Sequence, residues 1–164
     1  MNAWQKGFLK GLTPQESLTV DEWACKYRVL SSRGSSEPGK YRVDRTPFLR
    51  EPMQELSTES SVQRVVMMFA VQLGKTETMN NWIGYCIDHA PAPMLMCQPT
   101  LQMAQRLSKQ RLESMLQDTP CLAEKIPPPR SRDSGNSQFA KIFPGGVLIL
   151  TGANSASSLR SMPA

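Results

Sequence analysis

One stretch of this sequence restricts the fold more than any other, because an apolar run, a Gly-Lys-Thr tripeptide and a periodic segment follow one another directly. The run VQRVVMMFAV (62–71) contains successive apolar positions without alternation, which is typical of a strand covered on both faces in a parallel sheet. Apolar residues then recur at helical spacing and predict a helix from 75 to 89 with one buried stripe. That stripe consists of Met79, Trp82, Ile83, Cys86, Ile87 and Ala90.

The tripeptide Gly74-Lys75-Thr76 lies at the junction of this predicted strand and helix. A helix N-terminus offers unpaired N–H groups and the positive end of the helix dipole to a phosphate. Gly74 would let the backbone approach the phosphates, Lys75 would reach the β and γ phosphates, and the Thr76 hydroxyl would ligate Mg²⁺. The full P-loop pattern fails at Phe69, where it requires a glycine. A plain strand-turn-helix junction without a ligand is the alternative.

Downstream residues continue the alternation of strand and helix. A second strand is predicted at 94–97, and Pro99-Thr100 is predicted to begin a second helix. The buried side of that helix would consist of Leu101, Ala104, Leu107, Leu112 and Met115. A Pro-rich surface loop (126–137) would follow, and residues 139–143 and 147–151 would form a β-hairpin. This order predicts an α/β fold with right-handed crossovers.

The residues upstream of this core are predicted to be helical and basic. Capping-box patterns occur at 13–16 and 19–22, and the second is followed by apolar residues that predict a helix from about 20 to 31. A loop rich in Ser, Gly and Pro would come next. Thr46-Pro47 could open a short helix, which Pro52 would kink or delay. Two regions are therefore predicted, a segment over 1–60 and a P-loop core over 61–164.

The positive charge of the chain is concentrated in one segment. The net charge is +5, and residues 26–50 carry seven basic and two acidic side chains, which accounts for the whole excess. The seven are Lys26, Arg28, Arg33, Lys40, Arg42, Arg45 and Arg50. Such a segment could meet DNA or a nucleotide phosphate, and it could equally be a solvated surface strip.

Membrane-spanning and zinc-binding proteins are disfavoured by the sequence. The longest apolar run, 65–71, is far shorter than the roughly 20 residues that span a bilayer, and no apolar leader segment begins the chain. The four cysteines form no C-x-x-C pair, and His89 is the single histidine. Reduced cysteines in a cytosol are therefore expected.

Several blocks in one order resemble a known family. They are SSEPGKYRVDRTPFLREPM, VVMMFAVQLGKTE, NNWIGY, MLMCQPTLQMAQRLSKQRLESM, SGNS and FPGGVLILTGANSASSLRSMPA. From about residue 20 to the end, the chain resembles the phage terminase large subunit of the lambda gpA type. The resemblance implies a RecA-like ATPase core of the additional-strand class, incomplete here, with a helical N-terminal extension. It also implies ATP and Mg²⁺ as cofactors and a motor that drives double-stranded DNA into a procapsid.

The resemblance also implies partners and a location. These are the terminase small subunit, the portal of the procapsid and other copies of the chain in a homo-oligomeric motor, all in the cytoplasm of the bacterial host. The family's nuclease domain would lie outside this chain.

The same resemblance assigns site residues. The divergent Walker A segment implies a nucleotide-binding set of Gln72, Leu73, Gly74, Lys75, Thr76 and Glu77, with Lys75 catalytic and Thr76 on Mg²⁺. The upstream block implies an adenine side formed by Tyr41, Phe48 and Arg50. The segment after the second strand implies a DNA-facing or coupling role for Gln98, Thr100 and Arg106.

Two departures limit what the resemblance implies. Val71 occupies a position where many terminases have an arginine, so the arginine finger is unassigned among Arg106, Arg111 and Arg160. The family continues from LRSMPA into a strand that ends in an Asp-Glu pair, whereas this sequence ends at Ala164. Weak nucleotide binding with little hydrolysis is therefore expected, because metal-organising carboxylates are half of a phosphoryl-transfer site.

Two other functions fit the sequence. One is a different P-loop enzyme, either a small kinase or a helicase-like ATPase. The other is a truncated prophage product that binds DNA or assists assembly through its basic segment, without ATPase activity.

Overall fold

The computed structural model describes residues 2–12, 16–32, 35, 37–126 and 136–154. In chain order its helices and strands are α1 (Ala3–Leu12), α2 (Val20–Tyr27), β1 (Val29–Leu30), β2 (Gly39–Lys40), α3 (Arg50–Glu55), α4 (Lys75–Asp88), β3 (Met94–Gln98), α5 (Leu101–Leu107), α6 (Glu113–Asp118), α7 (Pro120–Ala123), β4 (Ala140–Phe143) and β5 (Gly146–Gly152). The fold is thus mixed α/β, as the order of sequence patterns predicts. No helix among the described residues is long and apolar enough to cross a membrane.

A three-stranded sheet carries the second half of the chain. Strand β5 lies in the centre, parallel to β3 and antiparallel to β4, so that the strand order is β3-β5-β4. The hairpin predicted around Pro144 is confirmed, with Phe143 opposite Gly146. Leu148 and Leu150 of β5 are buried together with Met96 and Phe143. Helix α5 packs against β3 and β5 of this sheet.

The strand predicted at 62–71 is wrong, because residues 64–70 form no strand in the structure. Their side chains alternate instead: Val65, Met67 and Phe69 are partly buried, while Val66 and Met68 are 80% and 95% exposed. An apolar run indicates burial, but a strand also needs a neighbour for its backbone hydrogen bonds. Among the described residues no strand lies beside this segment, so it is extended without a ladder.

Helix α2 begins where its capping box predicts and ends earlier than expected. The Glu22 carboxylate accepts the Thr19 backbone N–H at 2.9 Å, and this bond lowers the pKa of Glu22. The helix predicted to reach residue 31 ends at Tyr27, because Arg28 has an extended conformation and Val29 pairs with Lys40 in a two-stranded ladder. The other capping-box pattern, at 13–16, lies mostly outside the described residues.

The segment around Pro52 has the late helix start that the sequence predicts. Two 3₁₀ turns, Val43–Arg45 and Pro47–Leu49, lead into α3, which begins at Arg50. Pro52 then lies in the first turn, where its missing N–H leaves no helical hydrogen bond unmade.

Helix α4 confirms the prediction of a helix from 75 to 89 to within one residue. Ile83, Cys86 and Ile87 of the predicted stripe are buried, whereas Trp82 is 37% exposed. The polar residues Thr78, Asn80 and Asn81 are also buried. The helix is therefore enclosed on more faces than one apolar stripe indicates, because α2, α3 and α7 all pack against it.

A tryptophan joins α2 to α4. Trp23 is fully buried, and its indole N–H donates to Asp88 Oδ2 at 2.8 Å. The ring packs against Gly84, where an added Cβ would lie 2.8 Å from Cζ3 of Trp23 and 3.4 Å from Leu122. Helices α2 and α4 thus share one hydrophobic core.

The helix predicted after Pro99 is confirmed, with one irregularity. Thr100 is the N-cap of α5 and accepts the Met103 N–H at 3.2 Å. Helix α5 continues into a π-helical turn, Ser108–Leu112, and then into α6. Ala104, Leu112 and Met115 are buried as predicted, but Leu101 is 42% exposed. The Pro-rich loop and Arg160 lie wholly or mostly outside the described residues.

Candidate functional site

The loop before α4 contains two residues in the left-handed region of backbone conformation. Gln72 and Gly74 both have positive φ, at 63° and 85°. Gly74 is the N-cap of α4, and a Cβ on it would lie 2.5 Å from Cδ1 of Leu49. Glycine is therefore needed for both its conformation and its space. Gly74 is followed by the N-terminus of a 14-residue helix, and such a terminus carries unpaired amides that favour an anion.

Lys75 folds back over this loop. Its ammonium donates to the carbonyl oxygens of Phe69 at 2.7 Å and Ala70 at 2.8 Å. These two hydrogen bonds hold the ammonium group against the backbone of residues 69 and 70. A phosphate that enters there would offer the ammonium a stronger, charged acceptor in place of two neutral ones.

A cavity of about 300 Å³ opens beside the loop. Four parts of the chain that are distant in sequence form its wall: the residues after α2 with β1, the segment 37–46 with Leu49, Gly74 with two residues of α4, and the π-helical turn with the start of α6. Of the predicted nucleotide-binding set, Gly74 and Glu77 line the cavity, whereas Gln72, Leu73, Lys75 and Thr76 do not. The volume is at the lower end of the range for small-molecule sites.

The cavity is strongly basic. Five cationic side chains line it, against two carboxylates, Glu37 and Glu77. The five are Arg28, Lys40, Arg42, Arg45 and Arg111. Both carboxylates bind a guanidinium of the same wall, Glu37 that of Arg45 and Glu77 that of Arg28. The remaining excess of positive charge favours an anionic ligand.

Two of the buried side-chain atoms that lack a hydrogen bond of ordinary geometry belong to residues of the cavity wall. Tyr41 is 6% exposed and Asn80 is 1% exposed, and both line the cavity. Tyr41 Oη and Asn80 Oδ1 lack a hydrogen bond of ordinary geometry to any residue that the structure describes. A buried polar atom without a partner carries a desolvation cost of about 1–3 kcal/mol. A polar ligand in the cavity would remove that cost.

The predicted adenine-side residues separate in the structure. Tyr41 lines the cavity, but Phe48 and Arg50 are not part of its wall. Phe48 packs edge-on against Phe69 at 6.1 Å between ring centroids. Arg50 binds Asp44 at 3.0 Å and lies 3.7 Å from Asp21.

The predicted coupling residues lie at the end of the sheet. Gln98 is the last residue of β3, and its carbonyl accepts the Ala153 N–H at 2.7 Å. Thr100 caps α5, as described above, and Arg106 is exposed on that helix. None of the three lines the cavity. Their predicted role on DNA stays a prediction.

Sequence reasoning missed several cavity residues. Arg28 and Arg42 were included only as members of a basic segment, while Asn80 and Ser114 carried no signal of their own. The separation of these residues along the chain follows no motif, since helix packing alone brings them together. The concentration of charge over 26–50 was the one signal that pointed to this wall.

A magnesium ion could be held only in part by the described residues. Among them there is no group of three His, Cys, Asp or Glu side chains placed to bind a metal. Thr76, in the first turn of α4, offers one hydroxyl oxygen, and the nearby Glu77 carboxylate already binds Arg28. This donor set fits an ion that arrives with phosphate oxygens and water as its main ligands.

Comparison with known families gives one match. The model of the phage terminase large subunit gpA, ATPase domain, matches residues 35–164. No curated protein and no solved structure shows significant similarity to the chain. The matched residues include Gly74-Lys75-Thr76, α4, the whole three-stranded sheet and the part of the cavity wall from residue 35 onward.

Proposed function

Since the chain belongs to the family of the phage terminase large subunit gpA, ATPase domain, we propose that it is the ATP-binding part of the motor that packages phage DNA into the procapsid. The observation that carries this proposal is the loop at Gly74-Lys75-Thr76, which opens at the N-terminus of α4 beside a basic cavity. A triphosphate in the loop would meet helix amides and the Lys75 ammonium together.

The contacts of the loop support a proposed binding mode. The phosphates would lie within residues 72–77, and Lys75 would exchange the Phe69 and Ala70 carbonyls for phosphate oxygens. Mg²⁺ bound with ATP neutralises charge on the phosphates, and Thr76 would supply one of its ligands. The rest of the nucleotide would extend into the cavity past Gly74, toward Tyr41.

The larger assembly is proposed on the same basis. A RecA-like core is supported by the parallel pairing of β3 with β5 and by the P-loop directly before α4. Duplex DNA, the terminase small subunit and the portal are the proposed partners of a homo-oligomeric motor in the bacterial cytoplasm. Phe48 and Arg50 as adenine contacts, and the weak hydrolysis expected from the sequence, remain predictions.

Ligand-dependent thermal unfolding tests the proposal. Mg-ATP at about 100 times its Kd should stabilise the chain by about 2.7 kcal/mol, which is roughly 5–10 °C in Tm for a domain of this size. Lys75→Ala should lose most of this shift, because the variant keeps the loop amides but not the ammonium. Turnover of ATP, measured on the same samples, tests the expectation of weak hydrolysis.

A lysine outside the site supplies the control. Lys109 is exposed on the π-helical turn and does not line the cavity, so Lys109→Ala should show the full ATP shift. If Lys75→Ala shifts as much as Lys109→Ala, the loop does not bind the phosphates and the proposal is wrong.

A further inference from the structure

Arg28 lies before the part of the chain that matches the family, yet it reaches the P-loop helix. It follows α2 directly and is 4% exposed, so its guanidinium is almost completely removed from solvent. Arginine is rarely buried unless its charge is paired. The position of this side chain in the cavity wall therefore needs a physical explanation.

The guanidinium is held by two residues of α4. Its Nη2 donates to Glu77 Oε2 at 2.8 Å, and its Nε donates to Asn81 Oδ1 at 3.1 Å. Glu77 and Asn81 are one turn apart, so both contacts lie on the same face of the helix. This pair of hydrogen bonds fixes the plane of the guanidinium, and Arg28 lines the cavity together with Gly74.

The electrostatics leave Arg28 suited to an anion. Burial lowers the pKa of Arg28, and the Glu77 carboxylate opposes that effect. A guanidinium remains charged in proteins, so a buried one is poorly solvated and gains from a further anionic partner. Asn80 Oδ1 in the same wall is buried without an ordinary hydrogen bond and could accept one from a donor group of a polar ligand.

We propose that Arg28 contacts the bound nucleotide and, through Glu77 and Asn81, couples nucleotide binding to the packing of α2 against α4. The inference rests on the proposed function, because the ligand is taken to be ATP in the P-loop and cavity. The segment 20–30 is then part of the nucleotide site rather than a separate extension. Occupancy of the site stabilises the contact between that segment and the P-loop helix.

Equilibrium binding of Mg-ATP is the first test. Arg28→Met should raise Kd about tenfold or more, since a hydrogen bond to a charged group is lost. Arg28→Lys keeps the charge without the two-pronged geometry and should raise Kd at least threefold. Lys26→Met is the matched control, because Lys26 lies at the end of the same helix, binds Glu16 and does not line the cavity. Its Kd should equal that of the unmodified chain.

A double variant separates ligand contact from simple neutralisation of Glu77. In Arg28→Met with Glu77→Gln, no uncompensated carboxylate remains beside the phosphates. Affinity should stay low in the double variant if Arg28 contacts the nucleotide. A return to the Kd of the unmodified chain would overturn the contact. If Arg28→Met does not fold, Arg28→Lys decides, and an unchanged Kd in that variant would also overturn it.

Hydrogen exchange tests the coupling. Mg-ATP should slow exchange of the amides in 20–30 in the unmodified chain, and in Arg28→Met it should slow only those at the start of α4. If the amide exchange rates in 20–30 are the same with and without Mg-ATP in the unmodified chain, the coupling is wrong. Failure of the proposed function gives a different pattern, in which the unmodified chain and Lys75→Ala bind ATP equally or not at all.

Discussion

Two charged side chains, one buried and one partly buried, connect elements of the fold through ion pairs. Lys141 is 2% exposed on β4 and donates to Glu113 at 3.3 Å, which ties the sheet to α6. Asp88, at the end of α4, binds both the Trp23 indole and the Lys125 ammonium, the latter at 2.9 Å. Burial raises the pKa of Asp88, but the bonds from Trp23 and Lys125 outweigh it, so that the net pKa is lowered.

Asp88→Asn should destabilise the fold by about 1 kcal/mol at pH 7, because the ion pair with Lys125 is lost while the indole keeps an acceptor. A lowered folded pKa means that the charge of Asp88 stabilises the fold above its unfolded pKa, near 3.9. That contribution is lost as pH falls through the lower folded value. Urea unfolding at pH 7 and pH 3 should therefore show the difference between the two chains shrinking at pH 3.

The control for this change is a surface aspartate. Asp44 is 86% exposed in its pair with Arg50, so Asp44→Asn should change stability by less than about 0.5 kcal/mol at either pH. An Asp88→Asn effect that is equal at both pH values would show that the charge of Asp88 does not stabilise the fold.

Helix α4 connects the elements of the site. Its N-terminus follows the proposed phosphate-binding loop, its residues Glu77, Asn80 and Asn81 lie at Arg28 and the cavity, and its middle packs on Trp23. The helix can approach Trp23 this closely because residue 84 has no side chain. The position of α4 and of the loop before it relative to α2 thus depends on the contact between Gly84 and the Trp23 ring.

Gly84→Ala should destabilise the fold by roughly 1–3 kcal/mol, because the added methyl overlaps the fully buried Trp23 ring and neither can move freely. The gain in helix propensity, up to about 1 kcal/mol, offsets only part of this cost. Chemical denaturation measures the difference. Gly11→Ala in α1 is the control, since nothing lies within 4 Å of its added Cβ. Equal or greater stability of Gly84→Ala than of Gly11→Ala would contradict the packing argument.

At the scale of the whole molecule, the cavity exists only because distant segments meet. The basic segment 26–50 does not form a uniform exposed strip: Arg28, Lys40, Arg42 and Arg45 line the cavity, while Lys26 and Arg50 pair with carboxylates outside it. This arrangement places positive charge beside Gly74. Arg28 is buried among these four, whereas Lys40, Arg42 and Arg45 are exposed at the rim. If the proposed nucleotide site is correct, these cations serve the nucleotide rather than duplex DNA.

Arg42→Met with Arg45→Met should therefore weaken Mg-ATP binding by about tenfold, because two cations beside the anionic ligand are removed. Duplex DNA binding and its salt dependence should change little in the same variant. Titrations with ATP and with duplex DNA at several salt concentrations measure both effects. If DNA affinity falls with a shallower salt slope while ATP affinity is unchanged, the segment serves DNA, as a DNA-binding or assembly fragment requires.

Local signals predicted most of the elements. The capping box at Thr19 fixed the start of α2, the periodicity after Gly74 predicted α4, and the Pro-Gly-Gly turn predicted the β4–β5 hairpin. Each of these depends on interactions within about four residues or across one tight turn. The strand predicted at 62–71 failed because strand formation depends on a partner that an apolar run does not specify.

Local sequence was enough to predict α4 and the loop of Gly74, Lys75 and Thr76 before it, because a helix start depends on neighbouring residues. The concentration of positive charge ahead of that loop is also a property of the sequence. Tertiary packing was needed to show which cations line the cavity, and that Glu77 and Asn81 hold Arg28. These contacts span about 50 residues of chain, and packing of α2 on α4, rather than any local pattern, sets the distances between them.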